Sequence, residues 1–396
     1  MVEDVLVIGA GPAGIACAYY LQKARMSYKV IDRADIIAST WAHQYPTLHL
    51  NTSRFYSHMP GLRFPLHYGI FPTARQYHDH LLEFVARHDF NIHLGVDVQR
   101  VSPLDGRWQV ESSEGVAWYP AVILATGRFP NPFVPHIQGI EKFTGRVIHS
   151  YQYKKSDDFA GQRVMVIGNG PSGLDLTIAL PEHAQWPVYL AQRTGIVLKP
   201  RYPYGLPKHG WMLLAQKLPN RLTRWLEQKA QDAQYAHVDR VGLKVPGLGQ
   251  ETGAAGTSGP ELMHRVRQGA VKPVETPVDF DGATVCLADG HEIEIDTLIL
   301  ATGFRPALDV LDIDFETDDS GLPVRENVDF PVYEGYLPHT GYEVKDQPGL
   351  YIAGVFYKGR GAMYNFNVEA EITVQQIQQR LAAPERAKPL TTGETQ

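Results

Sequence analysis

Cysteine is scarce in this chain: two residues in 396, Cys17 and Cys286. Neither belongs to a CxxC pair, which excludes a dithiol redox centre and a cysteine zinc site. Cys17 falls in a helical pattern and Cys286 in a strand-like run, so both are expected to be buried bystanders. Long apolar runs are missing too. No stretch reaches the ~20 residues that cross a bilayer. The apolar N-terminus carries Glu3 and Asp4 where a secretion signal would be basic. The expectation is a cytoplasmic protein without a transmembrane segment. An excess of one charge is also absent. Forty-three acidic against 37 basic residues leave a net charge of −6, which offers no broad basic face to nucleic acid or to an anionic membrane. No catalytic triad, carboxylate pair or metal cluster stands out, and no metal is expected. His78 and His80 lie two apart on a predicted helix, which aims them in different directions, and both read as surface residues. At 44% hydrophobic the chain can bury a sizeable core, and its length suggests two or three domains.

What is present begins at Val5. "VLVIGAGPAGIACAYYLQKARMSYKVID" reads as a buried strand, a glycine turn, an Ala-rich helix and a second strand ending in Asp32. Gly9 permits the tight turn, Gly11 lets a pyrophosphate approach the backbone, and Gly14 lets helix and strand pack closely. Pro12 and Ala13 complete the turn and open the helix, whose N-terminus offers free N–H groups and roughly half a positive charge. Asp32 is placed to accept hydrogen bonds from a ribose. The pattern recurs at "RVMVIGNGPSGLDLTIAL", with Gly168, Gly170, Pro171, Ser172 and Gly173. Its second strand ends at Arg193 rather than at an acid. An arginine there suits a 2′-phosphate, hence NADPH; read as a plain surface residue, it would leave NADH. Two phosphate turns imply two dinucleotides.

Between and after these turns the chain alternates. An aromatic, His- and Pro-rich loop follows Asp32, and loops of that length inside a domain are usually functional. Residues 72 to 89 read as a helix capped by Thr73, with Tyr77, Leu81, Leu82 and Val85 on one face. A small antiparallel excursion returns to a strand ending in Ala125, Thr126 and Gly127. A later strand ends in the same way, in Ala301, Thr302 and Gly303. "GLYIAGVF" reads as a buried strand and "AMYNFNVEAEITVQQIQQRLAA" as a closing helix. Residues 199–269 fit neither turn. They contain an amphipathic helix broken at Pro219 and a Gly-rich stretch read as a flexible loop. The helix is expected to pack on the protein, with a lid or membrane-surface role as the alternative.

The expected fold is α/β, two Rossmann-like dinucleotide-binding domains, the NADPH domain inserted into the other. The expected divisions are 1–154 (outer nucleotide domain, first part), 155–295 (NADPH-binding, with the insertion 199–269), 296–383 (outer nucleotide domain, second part) and 384–396 (a disordered tail).

"FTGRVIHSYQY" from Phe143 to Tyr153 fits FxGxxxHxxxY and lies just before the second glycine turn. In that position it resembles the fingerprint of the flavin-containing monooxygenases, including the plant YUCCA-type enzymes. "NTSRFYSHMP" at Asn51–Pro60 is similar to that family's loop beside the flavin. "GNGPSGLDL" and "QRTG" resemble its NADPH turn and 2′-phosphate site. The resemblance spans nearly the whole chain. It departs at Ala38-Ser39-Thr40-Trp41, where the family has Gly-Gly-x-Trp.

The resemblance implies FAD and NADPH as cofactors, the NADPH domain inserted into the FAD domain (1–154 and 296–383), with Arg33, Thr40, Trp41, Asn51, Thr52 and the two Ala-Thr-Gly segments among the cofactor-binding residues, and Arg193 and Thr194 beside the 2′-phosphate. It implies formation of a C4a-(hydro)peroxyflavin and oxygen transfer to a small organic substrate, at nitrogen or sulfur. Alternatives are Baeyer–Villiger oxygenation of a carbonyl compound and a flavin oxidase or reductase without oxygenation. Asn51 is the candidate catalytic residue, since a neutral amide donates and accepts hydrogen bonds without adding charge. His149 is expected to be structural. The expected partners are a small-molecule substrate and dioxygen, with a homodimer as the allowed assembly.

Overall fold

The computed structural model describes residues 3–129, 131–196, 198, 201–215, 217–235, 238–244, 259–317, 321–327, 340–355 and 361–382. Residues 247–258 of the predicted flexible loop at 247–261, the predicted disordered tail at 384–396 and residues 357–360 lie outside them; the loop's last three residues open the helix Gly259–Arg267. Two compact units emerge. The first comprises Met1–Gln44, Thr52–Asn131 and Arg305–Gln396, and the second comprises Tyr45–Asn51 and Pro132–Phe304.

In the first unit the strand Val5–Ile8 is wholly buried, as its unbroken apolar run requires of a strand covered on both faces. It pairs in parallel with Tyr28–Asp32 on one side and Ala121–Leu124 on the other. Ile92–Leu94 extends the sheet beyond Tyr28–Asp32, and Leu350–Ile352 extends it beyond Ala121–Leu124. Two antiparallel strands, Thr340–Val344 and Arg325–Asn327, complete seven among the described residues. The chain therefore reverses direction across the sheet between Val5–Ile8 and Ala121–Leu124, and ligands of such sheets bind at that crevice. The helix Pro12–Lys23 buries Ala13, Gly14, Ala16, Cys17 and Ala18. These small side chains let it lie close to the sheet and to the closing helix Ala362–Ala382.

The second unit repeats the plan. Its five-stranded parallel sheet runs Val271–Val274, Gln185–Ala191, Arg163–Ile167, Thr297–Leu300, Arg146–His149. Its reversal lies between Arg163–Ile167 and Thr297–Leu300. The expected divisions at 154/155 and 295/296 are therefore displaced. Arg146–His149 and Thr297–Leu300 hydrogen-bond to each other inside this sheet, so the chain crosses at Asn131/Pro132 and at Phe304/Arg305.

The helix Ala74–His88 starts as predicted. Thr73 Oγ1 accepts the Gln76 N–H at 3.2 Å, and Gln76 Oε1 accepts the Thr73 N–H at 2.9 Å. Its inner face differs from the expected one. Ala74, Tyr77, His80, Leu81 and Phe84 are buried, and Leu82 is exposed. His80 is thus a core residue rather than a surface one. The amphipathic helix forms as Asn220–Tyr235, after Lys208–Ala215 and the break at Pro219. Cys17 is buried, whereas Cys286 is only partly so.

Candidate functional site

Gly9 takes φ +114°, and a Cβ there would lie 2.5 Å from the Ala125 carbonyl oxygen. A Cβ on Gly14 would lie 1.8 Å from the Gly9 carbonyl oxygen. Neither position accepts any side chain. Gly11 is different: a Cβ there would meet nothing within 4 Å. Its glycine is explained by something outside the protein that approaches the backbone. The helix that follows has Pro12 at its start, no side-chain cap and no acid in its first turn. Its positive end is left for an external anion.

The second turn has the same build. Gly168 takes φ +114°, with its Cβ position 2.4 Å from the Ala301 carbonyl oxygen. The Cβ position of Gly173 is 2.0 Å from the Gly168 carbonyl oxygen, and that of Gly170 is open. Pro171 starts the helix Pro171–Ala179, again with no side-chain cap and no acid in the first turn. Both cradles thus fit a dinucleotide pyrophosphate.

The Ala-Thr-Gly segments have a clear structural role. Thr126 Oγ1 donates to the Ala307 carbonyl at 2.7 Å in the first unit. Thr302 Oγ1 donates to the Phe133 carbonyl at 2.5 Å in the second. Each threonine ties the outgoing chain to the returning chain, leaving Ala125 and Ala301 to line the turns. Gly127 and Gly303 take φ +67° and +93° where the chain leaves each strand.

Asp32 Oδ2 accepts the Ala10 N–H at 2.7 Å, and Oδ1 accepts the Ala34 N–H at 2.9 Å. One carboxylate therefore braces the glycine turn and the loop beyond, with further lone pairs remaining on both oxygens. Arg33, next in the chain, is exposed. The loop returns at Ala38, whose N–H donates to the Ala10 carbonyl at 3.0 Å. Ala38 sits at φ +50°, where glycine would be unstrained. Thr40 and Trp41 follow on the short helix Ser39–Ala42, with Trp41 edge-on to Tyr77 at 4.7 Å. Thr52 is buried, and its Oγ1 is 2.3 Å from the Cβ position of Gly361, so only glycine fits there. Asn51 is half-buried and ends the Tyr45–Asn51 segment of the second unit.

At the far end of the second turn, Gln192 is buried, and Arg193 and Thr194 are exposed. Asn169 Nδ2 donates to the Thr194 carbonyl at 2.7 Å. Sequence reading missed a clamp here. Gln192 donates to the Gly242 carbonyl at 3.2 Å and accepts the Lys244 N–H at 3.1 Å. Lys244 Nζ reaches the Gln192 carbonyl at 3.2 Å and Glu275 at 2.6 Å. Lys244 comes from the stretch that carries no motif, so nothing local announced it. Glu369, fully buried, was missed as well. It accepts the Gly354 N–H at 2.5 Å, where a Cβ on Gly354 would crowd Ala13.

His149 is neutral and fixed. Its Nδ1 accepts the Tyr151 N–H at 3.1 Å, so Nε2 carries the proton and donates to the Gly303 carbonyl at 3.1 Å. Burial lowers its pKa. This is the bonding of a structural histidine. Among the described residues no group of three or more His, Cys, Asp and Glu side chains could hold a metal ion, and no helix is long and apolar enough to cross a membrane.

Residues 6–200 match the family model described as pyridine nucleotide-disulphide oxidoreductase. With no paired cysteines in the chain, that match reports the nucleotide fold and not dithiol chemistry. The chain is 30% identical over 324 residues to a probable indole-3-pyruvate monooxygenase of Arabidopsis thaliana, YUCCA8, covering 77% of this chain and 75% of that one. The chain belongs to the flavin-containing monooxygenases, in their YUCCA-like branch. An indole-3-pyruvate monooxygenase of rice, Oryza sativa subsp. japonica, is also 30% identical, over 314 residues covering 77% of each chain. A flavin-containing monooxygenase from Stenotrophomonas maltophilia shares the fold, with a TM-score of 0.72 at 23% identity over 96% of this chain and all of that one. As a member of this family the protein is a flavin-dependent monooxygenase, and Ala38, at φ +50°, stands where the sequence departs from the expected Gly-Gly-x-Trp.

Proposed function

We propose that the protein is an FAD- and NADPH-dependent monooxygenase that transfers one atom of dioxygen to a nucleophilic nitrogen or sulfur of a small organic substrate. The observation that carries this reading is the pair of matching glycine cradles, each with an open second glycine and an uncapped helix start. The first cradle, Gly9 to Gly14, would hold the FAD pyrophosphate, with Asp32 accepting from its ribose. The second, Gly168 to Gly173, would hold the NADPH pyrophosphate, with Arg193 and Thr194 at the 2′-phosphate. Arg33, Thr40, Trp41, Thr52 and Ala125–Gly127 would border the flavin, and Ala301, Thr302 and Gly303, which line the second turn, would border the NADPH. When bound, FAD accepts hydride from NADPH and supplies the reducing equivalents for dioxygen activation. Asn51 would orient the oxygen being transferred, through an amide that donates and accepts without charge. Keeping water away from that oxygen limits loss as hydrogen peroxide.

A second reading draws on the relatives, whose names give indole-3-pyruvate, a 2-oxo acid, as substrate. Oxygenation would then fall on a carbonyl carbon. Incubation with isotopically labelled dioxygen, NADPH and a panel of amines, sulfides, ketones and 2-oxo acids separates the two. Label in an N-oxide or S-oxide supports the first. Label only in carboxylic acid or ester products moves the assignment to the second. Peroxide with no labelled product from any class removes oxygenation.

A further inference from the structure

The segment Tyr45–Asn51 departs from the plan of two nested sheets. Both its neighbours, Gln44 and Thr52, belong to the first unit, but the segment itself belongs to the second. Tyr45 accounts for this. Its ring is 8% exposed and joins the second unit's core with Leu174, Leu176 and Ile148, while Leu48 packs against the same core. The ring lies edge-on to Tyr153 at 5.6 Å, and Tyr153 stacks on Phe159. The hydroxyl is the only polar atom of that side chain, and it donates to Asp175 Oδ2 at 3.2 Å. Asp175 stands on the helix Pro171–Ala179, which the second glycine turn opens. Burial and the Asp175 carboxylate raise the Tyr45 pKa well above the usual tyrosine value, so the donor proton stays in place. The last residue of the anchored segment is Asn51.

We propose that Tyr45 is a positioning residue: its hydrogen bond to Asp175 fixes the segment that carries Asn51 and so limits the escape of reducing equivalents to free dioxygen. This rests on the role assigned to Asn51 above. In the escape reaction NADPH, a proton and dioxygen give NADP⁺ and hydrogen peroxide. Two electrons pass from the nicotinamide to dioxygen, and no organic substrate is oxidised. The carboxylate that accepts this hydrogen bond belongs to the helix Pro171–Ala179, so the segment is tied to a fixed element of its own unit.

The test uses the full FAD-loaded chain with NADPH, air and no organic substrate. Three quantities are read: the rate of peroxide formation, the anaerobic rate of flavin reduction, and KM for NADPH. Tyr45→Phe removes one hydroxyl from an otherwise preserved ring. Losing a hydrogen bond to a charged acceptor predicts a roughly tenfold faster peroxide release. Flavin reduction and KM should stay within about twofold, because the phosphate turn is untouched. Asp175→Leu should match Tyr45→Phe, and Asp175→Asn, which keeps an acceptor oxygen, should restore most of the coupling. Asn51→Ala must raise the leak as well. If Asn51→Ala leaks and Tyr45→Phe does not, the positioning role is wrong and the Asn51 assignment stands. If Tyr45→Phe leaks only alongside an equal rise in KM and slower reduction, the tyrosine merely stabilises the unit, and the positioning role is again wrong. If Asn51→Ala does not leak, the Asn51 assignment falls and this inference falls with it.

Discussion

Placed side by side, the turn after Ile8 and the turn after Ile167 share the backbone conformation of their first two glycines. Gly9 and Gly168 share φ +114°. Gly11 has φ −80° and ψ −177°, and Gly170 has φ −72° and ψ −178°. The strand register also coincides, Ile8 opposite Leu124 and Ile167 opposite Leu300. The difference lies at the end of the next strand. Ile8 pairs with Ile31, and Ile167 pairs with Ala191. By register the counterpart of Asp32 is therefore Gln192, and the counterpart of Arg193 is Arg33. Both units carry an exposed arginine at the same place. What separates them is the residue before it, a carboxylate in the first unit and a neutral amide in the second. A phosphate beside Arg33 would face Asp32, whereas one beside Arg193 would not. Selectivity for a 2′-phosphate on this account comes as much from the missing negative charge as from the arginine.

The glycines give the largest way to break the match. Gly14→Ala forces a Cβ to 1.8 Å from a backbone oxygen, and Gly173→Ala forces one to 2.0 Å. Such overpacking against backbone costs at least about 3 kcal/mol, or ~100-fold in nucleotide affinity. Gly14→Ala should purify without flavin. Gly173→Ala should purify yellow and resist reduction by NADPH. Absorbance spectra decide both, and a colourless Gly173→Ala protein would undo the division of labour between the turns.

Acid should strain the first unit next. Burial pushes His80 down to about 4, while its ring nitrogen Nε2 accepts the Met59 N–H at 3.0 Å. The unfolded chain's histidine titrates near ~6.5. The neutral ring's contribution is thus complete above that value and drains away as pH falls toward about 4. The loss at the lower end is on the order of 3 kcal/mol. Urea midpoints measured across this range should fall in the wild type and flatten in His80→Gln; equal slopes would refute the assignment.

Arg193→Ala comes third. A charge-assisted bond to phosphate is worth about 1.5–3 kcal/mol, so KM for NADPH should rise tenfold to a hundredfold, on the order set by that energy. KM for NADH should barely move. Equal losses for both coenzymes would take Arg193 out of the phosphate site. The smallest effect is expected at Ala38. Glycine relieves a left-handed backbone that costs an alanine about 1–2 kcal/mol, and it gives up one buried methyl worth ~0.8 kcal/mol. Ala38→Gly should stabilise the protein by at most about 1 kcal/mol, read as a small rise in Tm. A clear drop would mean that the methyl's packing dominates.

The glycine turns were legible in the sequence because their requirement is local. Three positions in six residues admit no side chain or must stay open, and strand and helix patterns flank them. The capped start at Thr73 was legible for the same reason. The identity of the buried histidine was not. His78 and His80 cannot share a helix face, but periodicity alone does not say which one faces the core, and the inner stripe turned out to include His80 and Phe84 in place of Leu82. The domain crossings were misplaced because Arg146–His149 reads like any short strand, and only its pairing with Thr297–Leu300 assigns it. Tyr45 and Lys244 were invisible as site residues. Their partners lie in other parts of the chain, Asp175 for one and Gln192 with Glu275 for the other.

Anaerobic addition of NADPH to the purified, FAD-loaded protein tests the central claim most directly. Hydride passing from a nicotinamide held at the second turn should bleach a flavin held at the first, and NADH at the same concentration should bleach it far more slowly. A polypeptide that binds no FAD, or a flavin that stays yellow with both coenzymes, would contradict the account.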